Sequence, residues 1–386
     1  MRDGSFPLLW LHGPSGVGKS TVAWEIFTEL SRSGVRTAYA DIDQLGLCYP
    51  ADGEDPGNDR LKAANLAAVW PVLRDAGARC LVVSGILGTS DAVRAYADRM
   101  PGIALTLCRL RADEAELRNR IVARGWQTQL ADAAVRHAEA LDRAGAGELC
   151  VDTDGLSAVD VARLVRAKTG WPGPAAEITS PAAVRAHSST VDEADAPMLW
   201  LCGAQGVGKS AVGWEIFADL LRSGAKTAYV DLGQLGFHRP VPDDDPDNHA
   251  LKARSLGALW ANFRAAGARG LIVTGGVTDP ATVGRYAAAV PGTKLTLCRL
   301  HASPAELTER ILRRGRGEGP PIPGDELKGL PAEALHRLAE RAAREADELD
   351  RTGIGDFRVD TDDLPAGDVA RLVRAKAGEW PGPVMP

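Results

Sequence analysis

Two segments of this chain carry residues suited to holding phosphate. Gly13-Pro-Ser-Gly-Val-Gly-Lys19-Ser20 and Gly203-Ala-Gln-Gly-Val-Gly-Lys209-Ser210 both fit G-x-x-x-x-G-K-[ST]. Glycines at Gly13, Gly16 and Gly18, and at Gly203, Gly206 and Gly208, let backbone N–H groups curl around phosphate oxygens. The helix that follows points its positive end at the same place. Lys19 and Lys209 reach terminal phosphates, Ser20 and Ser210 offer hydroxyls to Mg2+, and Thr21 extends the first loop into its helix. A chance glycine-rich turn does not account for the full motif occurring twice, each time after an apolar run and before a helical pattern.

Carboxylates come next. The first copy reads Tyr39-Ala-Asp41-Ile-Asp43-Gln44 and the second Tyr229-Val-Asp231-Leu-Gly233-Gln234. At the C-terminal end of a strand, Asp41 and Asp231 would sit in the crevice where open α/β sheets take ligands. There each could accept a proton from a substrate hydroxyl or hold a magnesium-bound water. The plainer alternative is a turn or N-cap aspartate. Asp43 becomes Gly233, so any role it has belongs to the first copy alone.

Transferring a phosphoryl group also demands positive charge around its equatorial oxygens. Arg120 and Arg124, and Arg310 and Arg314, stand at i, i+4 near a predicted helix end. Arg120 and Arg310 are candidates for holding the nucleotide, Arg124 and Arg314 for the transferring group. The alternative is a solvated helix face beside Glu116 and Glu306.

The elements that must position these groups repeat. Lys209 follows Lys19 by 190 positions, and the same offset carries WEIF (Trp24, Trp214), TAY (Thr37, Thr227) and LTLCRL (Leu105, Leu295). Val-Asp-Thr-Asp then begins at Val151 and Val359, an offset of 208, so the second copy carries an 18-residue insertion. The reading is a unit over 1–171, a Pro/Ala/Ser-rich flexible linker over 172–197 and a second unit over 198–386 with an extended lid.

In the first copy, strands are expected at Leu8–His12, Thr37–Ala40, Cys80–Ser84, Ala104–Leu110 and Leu149–Val151. Helices are expected at Ser20–Ser31, through Leu66, Val69, Trp70 and Leu73, at Leu117–Val122, and from Ser157, which with Asp160 makes a capping box. Pro365 occupies that helix start in the second copy, suited to a first turn. Strand–helix alternation implies a parallel sheet covered on both faces, hence α/β with two tandem doubly wound units. Trp24 and Trp214 are expected in the core beside Phe27 and Phe217.

On these residues both copies resemble the nucleoside monophosphate kinase and shikimate kinase branch of P-loop phosphotransferases, which includes chloramphenicol phosphotransferase and adenylylsulfate kinase. Asp41-Ile-Asp43 is similar to the shikimate kinase Asp-x-Asp, and Asp231 to the single aspartate base of chloramphenicol phosphotransferase. Thr274-Gly275-Gly276 resembles the shikimate kinase Thr-Gly-Gly, with Ser84-Gly85 in its place in copy one. The resemblance implies a kinase fold, ATP and Mg2+ at each loop, and a lid. It places one arginine of each pair near the adenine and the other near the phosphates. Glycine- and proline-rich Gly315–Gly324 suits a mobile lid, whereas Gly125–Ala133 is short and poor in arginine. The resemblance sets Thr153 and Thr361 near the base, although capping of the last helix reads as the simpler role. The acidic loops Asp52–Arg60 and Asp243–His249 would cover the acceptor and favour a hydroxylated or amine-bearing one.

Composition limits the rest. The net charge of -6 argues against general nucleic-acid binding. Six scattered cysteines lacking C-x-x-C read as reduced thiols, and no apolar run is long enough for a membrane span. A cytoplasmic protein is expected. The reading is an ATP-dependent kinase moving the γ-phosphoryl group to a small hydroxyl-bearing metabolite. A nucleotide kinase, a non-catalytic ATP-binding regulator, and a hybrid with one inactive copy stay open. The duplication also allows an intramolecular pseudo-dimer.

Overall fold

The computed structural model describes residues 5–87, 90–123, 128–144, 149–173, 196–319, 323–325, 327–378 and 380. The sequence expected to link the copies lies almost wholly outside these, as does Arg124.

The first copy runs β1 (Phe6–His12), α1 (Lys19–Arg32), β2 (Thr37–Asp41), the short α2 (Ile42–Leu45), β3 (Cys48–Tyr49) and α3 (Asp59–Asp75). It continues through β4 (Cys80–Ser84), α4 (Ser90–Arg99), β5 (Ile103–Arg111), α5 (Glu114–Ala123), α6 (Ala131–Ala144), β6 (Cys150–Asp152) and α7 (Ala158–Thr169). The second runs β7 (Ala196–Cys202), α8 (Lys209–Arg222), β8 (Thr227–Asp231), β9 (Phe237–Arg239), α9 (His249–Ala265), β10 (Gly270–Thr274) and α10 (Pro280–Ala289). It ends with β11 (Thr293–His301), α11 (Pro304–Gly315), α12 (Ala332–Thr352), β12 (Phe357–Asp360) and α13 (Ala366–Lys376).

Two six-stranded sheets result, ordered β6-β5-β1-β4-β2-β9 and β12-β11-β7-β10-β8-β3. Five strands of each are parallel, and the sixth is antiparallel. Alternation along β1 explains the two covered faces. Leu9 and Leu11 pack with Val22, Ile26 and Val165 of α1 and α7. Phe6, Leu8 and Trp10 point the other way, towards Leu66, Val69 and Trp70 of α3. This is the doubly wound α/β arrangement expected from the sequence.

The antiparallel strands were not expected. β9 belongs to copy two but pairs with β2 of copy one, setting Phe237 opposite Tyr39. Reciprocally, β3 of copy one pairs with β8 of copy two, and Tyr229 N donates to Leu47 O at 2.8 Å. Helices α3 and α9 meet at the same junction, where Asn262 Nδ2 donates to Asn65 Oδ1 at 2.9 Å. Phe6, Trp10 and Trp70 therefore share one apolar core with Met198, Trp200 and Trp260. A two- or three-residue strand ending at proline leaves no period to read, which is why both escaped notice.

Ser157 caps α7 as expected, its Oγ accepting from Asp160 N, whereas Pro365 is the N-cap residue of α13 instead of lying in its first turn. Trp24 packs 5.0 Å from Phe27 and 4.9 Å from Phe237. Trp214 reaches Phe217 at 5.4 Å but stays 42% exposed, so the core expectation fails there. The exchanged aromatic explains the difference: Phe237 covers Trp24, while β3 brings Tyr49 to Phe217. Six cysteines are free, and no described helix is long and apolar enough to cross a membrane.

Candidate functional site

Each glycine loop joins the end of a central strand to a helix. Gly13 has φ +142°, and a Cβ there would lie 2.5 Å from Leu110 O; at Gly203 the approach to Leu300 O is 2.4 Å. Any other residue would push the loop off the sheet edge. Lys19 Nζ donates to Pro14 O at 2.8 Å, and Lys209 Nζ to Gly203 O and Ala204 O at 2.8 and 2.9 Å. Both ammoniums are thus held over their own loops. Burial lowers the Lys209 pKa, against the opposing pull of Glu345.

The strand-end carboxylates come to the loop serines. Ser20 Oγ donates to Asp41 Oδ2 at 2.8 Å, and Ser210 Oγ to Asp231 Oδ2 at 2.6 Å. The second carboxylate oxygen accepts from a backbone amide two residues on, Asp43 N at 3.0 Å and Gly233 N at 2.8 Å. The turn role weighed for these aspartates is therefore real, and it coexists with the serine contact. Tyr39 OH and Ser84 Oγ lie 2.8 Å apart, and Ser84 also donates to Asp41 at 3.2 Å; Tyr229 OH and Thr274 Oγ1 are 3.2 Å apart. Burial pushes the Asp41 carboxyl up to about 6, with Asp43 adding to the rise. A hydroxyl and a carboxylate at a helix start are hard oxygen donors that suit Mg2+ carried on phosphates. Thr21 is exposed on α1.

Arg120 and Arg310 each bridge two loops. Arg120 Nη1 donates to Thr153 Oγ1 at 2.8 Å and Val17 O at 3.3 Å, its Nη2 to Thr153 O at 2.8 Å, and its Nε to Glu116. Arg310 repeats this set with Thr361, Val207 and Glu306. Each guanidinium ties the phosphate loop to the Val-Asp-Thr-Asp loop, so these residues position the site's walls. Thr153 and Thr361 are buried partners of those arginines, not caps of α7 and α13. Asp154 and Asp362 instead accept from Asp113 N and Ser303 N at the start of α5 and α11. Arg314 pairs with Asp325 at 2.8 Å. Arg124 lies outside the described residues.

Beside the second loop is a cavity of about 360 Å3 lined by Lys209, Ser210, Asp231, Lys252, Arg314 and Glu345, among others. Asp247 and His249 of the acidic loop reach its wall. Their neighbour Asp245, like Asp55 in copy one, receives the first amides of the following helix, so part of the acidity serves capping. Gly324, from the segment expected to be a mobile lid, sits so that an added Cβ would meet Trp24 at 3.1 Å and Phe237 at 3.2 Å. Gln234 Nε2 donates to Pro323 O at 3.1 Å. The copy-two insertion thus rests against copy one.

Glu345 escaped the sequence reading. It lies on α12, and its Oε2 accepts from Gln205 N of the phosphate loop at 3.2 Å. His137 holds the matching place in copy one, which the 208-residue offset would have revealed had it been carried through the helix. A carboxylate here repels phosphate. Glu345→Gln is expected to tighten ATP binding at the second loop on the order of tenfold, about 1.4 kcal/mol of relieved repulsion. Calorimetry checks it; an unchanged affinity would mean that the carboxylate swings clear.

No protein-family model matches the chain. No curated protein matches it either. Its shape is similar to a gluconokinase from Sinorhizobium meliloti 1021, at 19% identity and TM-score 0.32, over 47% of this chain and 91% of that one. It is also similar to a tunicamycin resistance protein of Deinococcus radiodurans, at 21% identity and TM-score 0.31, over 49% and 99%. A third is the APS kinase of Mycobacterium tuberculosis in complex with AMPPNP and APS, at 20% identity and TM-score 0.32, over 43% and 98%.

Proposed function

We propose that the chain is an ATP-dependent phosphotransferase acting on small hydroxyl-bearing metabolites, with units at 1–171 and 198–386 working as an intramolecular pseudo-dimer. The observation that carries this is the convergence, twice, of loop lysine, loop serine and strand-end carboxylate, with Ser20–Asp41 at 2.8 Å and Ser210–Asp231 at 2.6 Å. The loop amides and Lys19 or Lys209 would bind the phosphates. Ser20 and Asp41, or Ser210 and Asp231, would hold Mg2+, Asp41 and Asp231 partly through water. The metal, when bound, neutralises charge on the phosphate oxygens.

The acceptor's oxygen forms the new bond to the γ-phosphorus while the bond to the β-bridging oxygen breaks, and ADP leaves with that electron pair. Asp41 or Asp231 takes the acceptor's proton. Arg314 is close enough to the cavity to meet the transferring group once Asp325 releases it, and Arg124 would serve copy one. Free, mostly buried thiols suit a reducing, cytoplasmic setting.

Calorimetric titration of the intact chain should show about two ATP sites, one per motif. ADP should appear in step with a phosphorylated acceptor. One site, or ATP binding with negligible turnover against any acceptor, would favour the regulator or hybrid reading. The contact of Glu345 with the second loop gives the hybrid its specific support.

A further inference from the structure

The two halves differ in one buried charge. In copy one, Lys62 Nζ pairs with Asp43 Oδ1 at 3.1 Å. Its stem runs beneath Gly46, where a Cβ would lie 2.6 Å from Lys62 Cγ. Asn58 fixes that turn by donating to Gly46 O and Cys48 O at 3.0 and 2.8 Å. Copy two rebuilds this frame: Lys252 runs beneath Gly236, and Asn248 donates to Gly236 O and His238 O. The partner alone is missing, because Gly233 stands where copy one has Asp43. Among the described residues, the Lys252 ammonium makes no hydrogen bond or ion pair.

Lys252 lines the cavity together with Ser210, Asp231 and Gly276. Burial lowers its pKa, while Asp247, Asp231 and Asp245 act in the opposite sense. A desolvated ammonium without a partner is costly, and a ligand that brings an anion recovers that cost. Arg314 is already tied to Asp325 and Lys209 to the carbonyls of its own loop, so among the described residues Lys252 is the cation this wall offers. Asp231, Asp247, Asp325 and Glu345 also line the space, which suits a single carboxylate better than a doubly charged phosphate ester.

We propose that Lys252 sets the specificity of the second half by binding the carboxylate of a small hydroxy acid, whereas Asp43 silences Lys62 and leaves copy one to uncharged acceptors. The word acceptor rests on the phosphotransfer reading; the carboxylate site does not.

The test uses the full chain and thermal unfolding. A panel of short aldonic acids is set against polyols of the same chain length, with sodium chloride matching the ionic strength and inorganic phosphate as a separate arm. At least one acid should raise Tm by about 2–4 °C over its polyol. Gly233→Asp rebuilds the copy-one pair and should abolish that rise while leaving the rise from inorganic phosphate, which binds the glycine loops. Asp43→Gly, which frees Lys62, should enlarge the acid effect. The inference is overturned if no acid outperforms its polyol, or if Gly233→Asp leaves the acid effect intact. A phosphate effect that Gly233→Asp removes would overturn it in favour of phosphate esters. Acid binding of the expected pattern without ADP release against any acceptor would sink the phosphotransfer reading and leave the carboxylate site standing.

Discussion

Asp41→Asn and Asp231→Asn leave ATP affinity close to wild type and lower turnover by roughly 10²–10⁴-fold at whichever half performs the chemistry, the usual worth of a general base. Asparagine keeps one oxygen to accept from the amide two residues on, and its Nδ2 can donate to the loop serine's hydroxyl, so the turn survives the change. What it cannot do is take a proton. The two halves give different handles on this loss. Asp41 sits among Ser20, Ser84 and Tyr39, whereas Asp231 receives only Ser210 and Gly233 N among the described residues. ADP release by each single variant and by the double variant, beside ATP titration, checks the result. Full rate in all three would reduce both aspartates to turn residues and move the base elsewhere.

Lys19→Ala and Lys209→Ala give clearly unequal residual activities on a given acceptor. Each removes a charge held over its loop, a change that costs roughly 10²–10³-fold where preorganised charge stabilises a transition state. The surroundings of the two lysines differ in charge. Lys209 faces Glu345, which contacts its loop, while His137 holds that place in copy one. The acceptor walls differ as well, by the Asp43–Lys62 pair against Lys252. Steady-state rates against hydroxy acids and polyols measure the division. If each variant keeps about half the wild-type rate with the same acceptor preference, the halves are equivalent.

How much of this was legible in the sequence depended on the range of the interaction. Lys19, Ser20, Lys209 and Ser210 were readable because loop, strand and helix are contiguous and their spacing is fixed by backbone geometry. Asp41 and Asp231 followed from their place at a strand's end. Arg120 and Arg310 were found, but i, i+4 spacing says only that two side chains share a face and not which loops they grip. Glu345 was passed over, and Lys252 was read only as one of the cations beside the acidic loop, with Arg60, Lys62 and Arg254. Glu345 reaches the site from a helix remote in sequence, and only comparison of the copies residue by residue marks it and the lost partner of Lys252. The exchange of β3 and β9 was invisible for a further reason. It is decided by which sheet edge lies open, a property of the assembled halves.

That exchange bears on how the chain can be cut. Each half lends its neighbour one edge strand and receives one, and α3 and α9 seal the same junction with shared core. The peptide connection between the halves is therefore not what keeps them together. Proteolytic nicking there should yield two fragments that co-elute and melt as one, and the ends could be rejoined elsewhere by circular permutation. Expressed alone, either half would present a bare β2 or β8 edge and an uncovered α3 or α9 face. The expected product is a self-associated species in which two identical halves trade strands with each other.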